Sequence, residues 1–189
     1  MKLAAALSVV ALAAVIAASA QAASISGLAI VDPGLKGAGT LAVSSPRIAP
    51  GGAIPEVYSS YGASVSPPLA WSKGPQGTHS FALIIEDPDA GTPTPFVHWM
   101  LWNLPAATTA LTEGAVPAGA RQGKLMFVGK TGYMGPHPPA GGPHHYHLQV
   151  FALDQALDLP DGAERPALAG AMKGHVLASG ELIATFQKP

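Results

Sequence analysis

The apolar pattern changes character twice along the chain. Residues 3–18 form an alanine-dominated apolar run broken only by Ser8 and preceded by Lys2. Residues 23–40 are small, polar and glycine-rich, and predict a loose N-terminal leader. From Leu41 onward, short apolar pieces alternate with Pro and Gly breaks, starting with Pro46, Pro50, Gly51, Gly52 and Pro55. That spacing predicts short strands joined by shaped turns.

Residues 66–71 (SPPLAW) read as a turn entering a strand. His79 to Glu86 (HSFALIIE) is apolar almost throughout, which predicts a central strand covered on both faces. It stops at Asp87-Pro88-Asp89-Ala90-Gly91, a strong turn signal. Phe96 to Leu104 predicts a second strand, halted by Pro105. Lys124 to Gly129 predicts a third and His145 to Leu153 a fourth. Residues 163–173 (AERPALAGAMK) predict a helix between Gly162 and Gly174, with Pro166 confined to its first turn. His175 to Phe186 then returns as strand. No repeat or linker divides residues 41–189, which read as one domain.

Composition supports a mainly β fold. Charged residues are 11% of the 189, apolar residues 48%, and glycine with proline about a fifth. Heptads for a long coiled coil, a collagen period and a disordered polyampholyte are all excluded. The formal net charge of −1 carries no electrostatic footprint for nucleic acid. With no cysteine, no disulfide holds the fold together, and stability must come from packing.

The first 22 residues predict a secretory signal peptide. Lys2 supplies the positive start, the apolar run the middle, and Ala20-Gln21-Ala22 the small-x-small site for cleavage before Ala23. The run is short for a membrane anchor and lacks a basic flank. No later stretch could span a bilayer, so the expected mature chain is exported and soluble, periplasmic or secreted.

Titratable residues are scarce, and three groups fall at strand ends. They are Asp87-Pro88-Asp89, His98-Trp99, and Gly135-Pro136-His137-Pro138-Pro139 leading to His144-His145-Tyr146-His147. Alternation puts His144 and Tyr146 on one strand face, His145 and His147 on the other. If the three strands are neighbours, Asp87, His98, His144 and Tyr146 converge on a pocket suited to a small anion. The imidazoles and the phenol would donate hydrogen bonds, and backbone N–H groups around Gly135 would add to them. A proline-rich rim would keep the pocket preformed.

These clusters, in this order, resemble the phosphatidylethanolamine-binding protein family, most closely its bacterial Raf-kinase-inhibitor-like branch. The segments carrying the resemblance are GGAIPEVY (51–58), SVSPPLAW (64–71), HSFALIIEDPDA (79–90), FVHWMLWNLP (96–105), GYMGPHPPAGGPHHYHLQVFALD (132–154) and GHVLASGELIATF (174–186). The resemblance implies a large central antiparallel sheet, a smaller sheet packed on it and few short helices. It also implies a pocket for phosphate, acetate or a phosphoethanolamine head group. Residue by residue, it assigns Asp87 as the pocket acid, His98 and His144 as its histidines, Tyr146 as its tyrosine, and Gly135 as rim backbone. Three positions depart from the pattern. Gly91 stands where the family commonly has Pro, His145 where it usually has Arg, and His137 where bacterial relatives often have Cys.

The reading is of a non-enzymatic binding protein without a cofactor. No GxSxG, P-loop or HExxH motif is present. One alternative is a regulator of a protein partner, a protease or kinase-like target, through the same pocket. Another is a Zn or Cu protein using His145 and His147 with His137 or His144. A homodimer is left open.

Overall fold

The computed structural model describes residues 27–125 and 129–189. Nine strands, β1 (Gly39–Thr40), β2 (Val43–Ser44), β3 (Leu69–Trp71), β4 (Ser80–Asp87), β5 (Phe96–Pro105), β6 (Ala110–Leu111), β7 (Arg121–Gln122), β8 (His144–Leu153) and β9 (Val176–Phe186), and one α-helix, α1 (Arg165–Met172), make up the described architecture with three short 3₁₀ turns. A six-stranded sheet runs β1-β9-β8-β4-β5-β7, and a three-stranded sheet runs β2-β3-β6. All pairs are antiparallel except β1 with β9. The fold is the mainly β, two-sheet arrangement expected.

Every residue of β4 is buried, because both faces of the large sheet are covered. Phe81, Leu83 and Ile85 point toward the small sheet and join Leu69, Trp71, Leu111 and Tyr58 in one core. Ala82 and Ile84 point the other way, onto Met100, Trp102, Phe151, Leu168 and Met172 beneath α1. Each large buried apolar side chain contributes about 1.5–3 kcal/mol. That explains the unbroken apolar run of β4, where a one-faced strand would alternate. Pro166 lies in the first turn of α1, where a missing N–H costs nothing.

One expectation is corrected. The leader is not loose in its described part: Leu28, Ala29 and Leu35 are fully buried. Ala29 N–H donates to Glu86 (2.8 Å) and Ile30 N–H to Gln149 (2.6 Å), clamping the segment onto the sheet. The middle of the strand expected over 124–129 lies outside the described residues, and Lys124 bridges to Thr131. Next to β5 the sheet carries β7. The expected signal peptide, and cleavage before Ala23, fall outside the described residues. No described helix is long and apolar enough to cross a membrane.

Candidate functional site

The strand order β8-β4-β5 makes the three expected site strands immediate neighbours. Asp87 closes β4, His98 lies near the start of β5 and His144 opens β8. Since β4 is antiparallel to both partners, these positions gather at one end of the sheet. They line a hollow of about 330 Å³ with Ala90, Thr92, Phe96, Met134, His137, Pro138 and Pro139. The rim prolines named from the sequence are therefore wall residues, as is His137.

Asp87 is buried, and both its carboxylate oxygens are engaged. Oδ1 accepts from Asp89 N–H and Oδ2 from His144 Nδ1, each at 2.8 Å. His98 is 3% exposed, with Nδ1 at 2.9 Å from the Met134 carbonyl. A carbonyl only accepts, so His98 carries its proton on Nδ1. Desolvation holds this imidazole below its ordinary pKa, outweighing the Met134 carbonyl and the Asp87 charge, so the ring is neutral at pH 7. For His98 the expected donation to a guest is revised, since the one N–H of its neutral ring goes to Met134. Each ring commits its Nδ1–H to the protein, and in its neutral form offers Nε2 as a lone pair.

Tyr146 stands beside these groups rather than in the wall. Its ring meets that of His98 edge-on, 5.1 Å between centroids. Its hydroxyl is sealed from solvent and makes no hydrogen bond of ordinary geometry among the described residues. Burial, and then the charge of the nearby Asp87 carboxylate and a loose hydrogen-bonding contact with it, raise its pKa, so it stays a protonated donor.

Gly135 is close to the site but does not offer a free N–H. It donates to Ser64 Oγ (2.9 Å), while its carbonyl accepts from Ser60 Oγ (2.9 Å). A Cβ here would run into the Tyr58 carbonyl oxygen and the Ser59 backbone. Glycine is required for close packing, which fixes the Met134 carbonyl that orients His98. Ser60, Ser64, Phe96 and Met134 are site-shaping residues that sequence reasoning missed. No local motif marks them, since each acts through a partner distant in sequence.

The three departures each have a structural counterpart. Gly91 sits at φ +70°, a left-handed conformation closed to proline, so the loop after β4 takes a path a proline there would forbid. His145 directs both its backbone N–H and Nδ1 to Asp89 Oδ2, each at 2.8 Å, tying the loop to β8. His137 stacks on Tyr61 with ring centroids 4.7 Å apart, and Tyr61 in turn donates to the Pro138 carbonyl (2.7 Å).

The metal alternative finds no geometry. Among the described residues no group of three or more His, Asp or Glu stands ready to hold an ion. His145 turns to Asp89 in the loop after β4 and His147 to Glu181 on β9 at 2.7 Å. A larger hollow of about 500 Å³ lies by α1, lined by Val97, Lys124, Leu125, Glu164 and Arg165. Its charges pair with protein: Lys124 with Glu164, and Arg165 with Glu86. The smaller hollow gathers Asp87, His98, His137 and His144 in its wall.

Comparison with known proteins agrees with this geometry. A family model described as phosphatidylethanolamine-binding protein matches residues 44–187. A UPF0098 protein of Methanothermobacter thermautotrophicus is 40% identical over 142 residues, covering 72% of this chain and 92% of the relative. The solved structure of CT736 from Chlamydia trachomatis, described as a homologue of that family, superposes with TM-score 0.74 at 35% identity. It covers 80% of this chain and all of the other. E. coli YbcL, described as a new member of the mammalian family, gives TM-score 0.74 at 31% identity, covering 79% and 99%.

Proposed function

The chain belongs to the phosphatidylethanolamine-binding protein family, and from that premise we propose that it is an exported binding protein for a small anion or phosphorylated head group. One observation carries the reading. Asp87, His98 and His144 reach a single hollow from three adjacent strands, with the Tyr146 ring edge-on to His98. Three titratable groups gathered in one hollow suit an oxygen-rich guest.

Each group has a role in this reading. Tyr146 braces the His98 ring edge-on. His144, oriented by Asp87, and His98, oriented by Met134, bracket the guest from either side. Asp87 also supplies negative charge that would attract an ammonium group. The Pro138–Pro139 wall restricts the shape that enters. The hollow binds and does not catalyse: Ser60 and Ser64, the serines nearest the rim, hold Gly135 rather than a histidine. A signal peptide over residues 1–22 would deliver the protein outside the cytoplasm.

Calorimetry with phosphate and with phosphoethanolamine tests the site. Wild type is expected to bind and His144→Ala to lose at least tenfold in affinity. Equal binding by the two contradicts the assignment. Export predicts a mature N-terminus at Ala23 by mass spectrometry.

A further inference from the structure

The two imidazoles that bracket the hollow present it with acceptors. His98 gives its Nδ1–H to Met134 and His144 gives its Nδ1–H to Asp87 Oδ2. In neutral rings so bonded, each Nε2 is a lone pair. An anion facing two lone pairs is repelled unless a proton lies between them. The Tyr146 hydroxyl is sealed from solvent beside Asp87 and does not supply the missing donor.

We infer that the hollow takes a phosphoryl guest together with one proton, shared between a guest oxygen and an imidazole Nε2. This deepens the proposed function and rests on it. The structure indicates where the proton goes. His98 is buried, its Nδ1 faces a neutral carbonyl, and a second proton there would place an ill-compensated charge in the interior. His144 has a carboxylate on Nδ1, so a proton on its Nε2 completes an imidazolium–carboxylate pair. A diester guest, which carries no proton of its own, is met by His144 in that form, with the proton drawn from solvent. Inorganic phosphate, mostly HPO₄²⁻ at pH 8, brings a proton of its own to share.

The groups facing this pair come from every neighbouring element. They are Asp87 and Asp89 at the end of β4, Tyr146 from β8, and Tyr133 and His137 from the segment before β8. Burial keeps both tyrosines protonated, so neither phenol adds charge to the site. His98, held low by desolvation, is the poorer receiver of the two positions.

The test uses the purified protein and two probes, inorganic phosphate and glycerophosphoethanolamine. Titration calorimetry at pH 8 in buffers of different ionisation enthalpy counts protons. The expected result is about one proton taken up per glycerophosphoethanolamine and fewer per inorganic phosphate, with the Kd of the diester rising about tenfold per pH unit above neutrality. The tighter probe tells free phosphate from a lipid head group. ¹⁵N spectra of the free protein are expected to show His98 and His144 as Nδ1–H tautomers. Binding of the diester with no proton uptake and a flat Kd overturns the inference while leaving the site intact, as do Nε2–H tautomers in both rings. Failure of both probes at every pH instead overturns the binding function on which it rests.

Discussion

Glu86 and Asp87 are adjacent acids at the end of one strand, and the sheet sends them to opposite faces. Glu86 is fully buried, and all its partners are protein. Oε1 accepts from Arg165 (2.7 Å), and Oε2 accepts from Ala29 N–H (2.8 Å) and Gln149 (2.7 Å). Arg165 also donates to the Gly27 carbonyl (2.6 Å), and Gln149 accepts from Ile30 N–H. This network closes on itself and pins residues 27–30 to the sheet. On the other face, Asp87 opens onto the hollow, beside His98 and His144. Two neighbouring carboxylates thus differ in whether their surroundings are filled by protein, and under the proposed function only the second meets a guest.

Substitutions sharpen that difference. The largest effect is expected from Arg165→Leu, which leaves Glu86 charged and buried. Stability should fall by about 3–5 kcal/mol in urea denaturation, with guest affinity of the folded protein unchanged. Gly135→Ala comes next. Its Cβ meets backbone that cannot swing aside, for a loss of about 1–3 kcal/mol. Because the same turn carries the Met134 carbonyl, guest affinity should drop as well.

The smallest effect is on pH dependence. Burial depresses the pKa of His98 in the folded state relative to about 6.5 in the unfolded chain. Below that value the unfolded chain takes up a proton that the folded state resists. The stabilisation present above pH 6.5 is therefore lost as pH falls toward the folded value. Thermal unfolding between roughly pH 6.5 and 5 should show a decline in Tm that is shallower in His98→Gln.

The long strands were legible because their signal is local. HSFALIIE and HYHLQVFAL are apolar on both faces, bounded by turn residues, and only a doubly covered strand accommodates that. Asp87, His98, His144 and Tyr146 were legible through strand ends, alternation and the family pattern. What escaped the sequence depends on distant pairing. β7 is two residues long, set by its register on Leu101 and Trp102. The leader looked loose because its anchors, Glu86 and Gln149, stand 57 and 119 residues away. The donor role of His98 in the hollow was misread for the same reason. A histidine's free nitrogen is decided by what its other nitrogen bonds, and Met134 lies 36 residues from His98.

The most direct test of the account is to follow the imidazole resonances while phosphate is added. Signals of His98 and His144 should shift together and saturate with one affinity, while His79, far from the hollow, and His175, bonded to Asp154 elsewhere, stay still. Shifts spread evenly over all histidines, or none at the hollow, would contradict it.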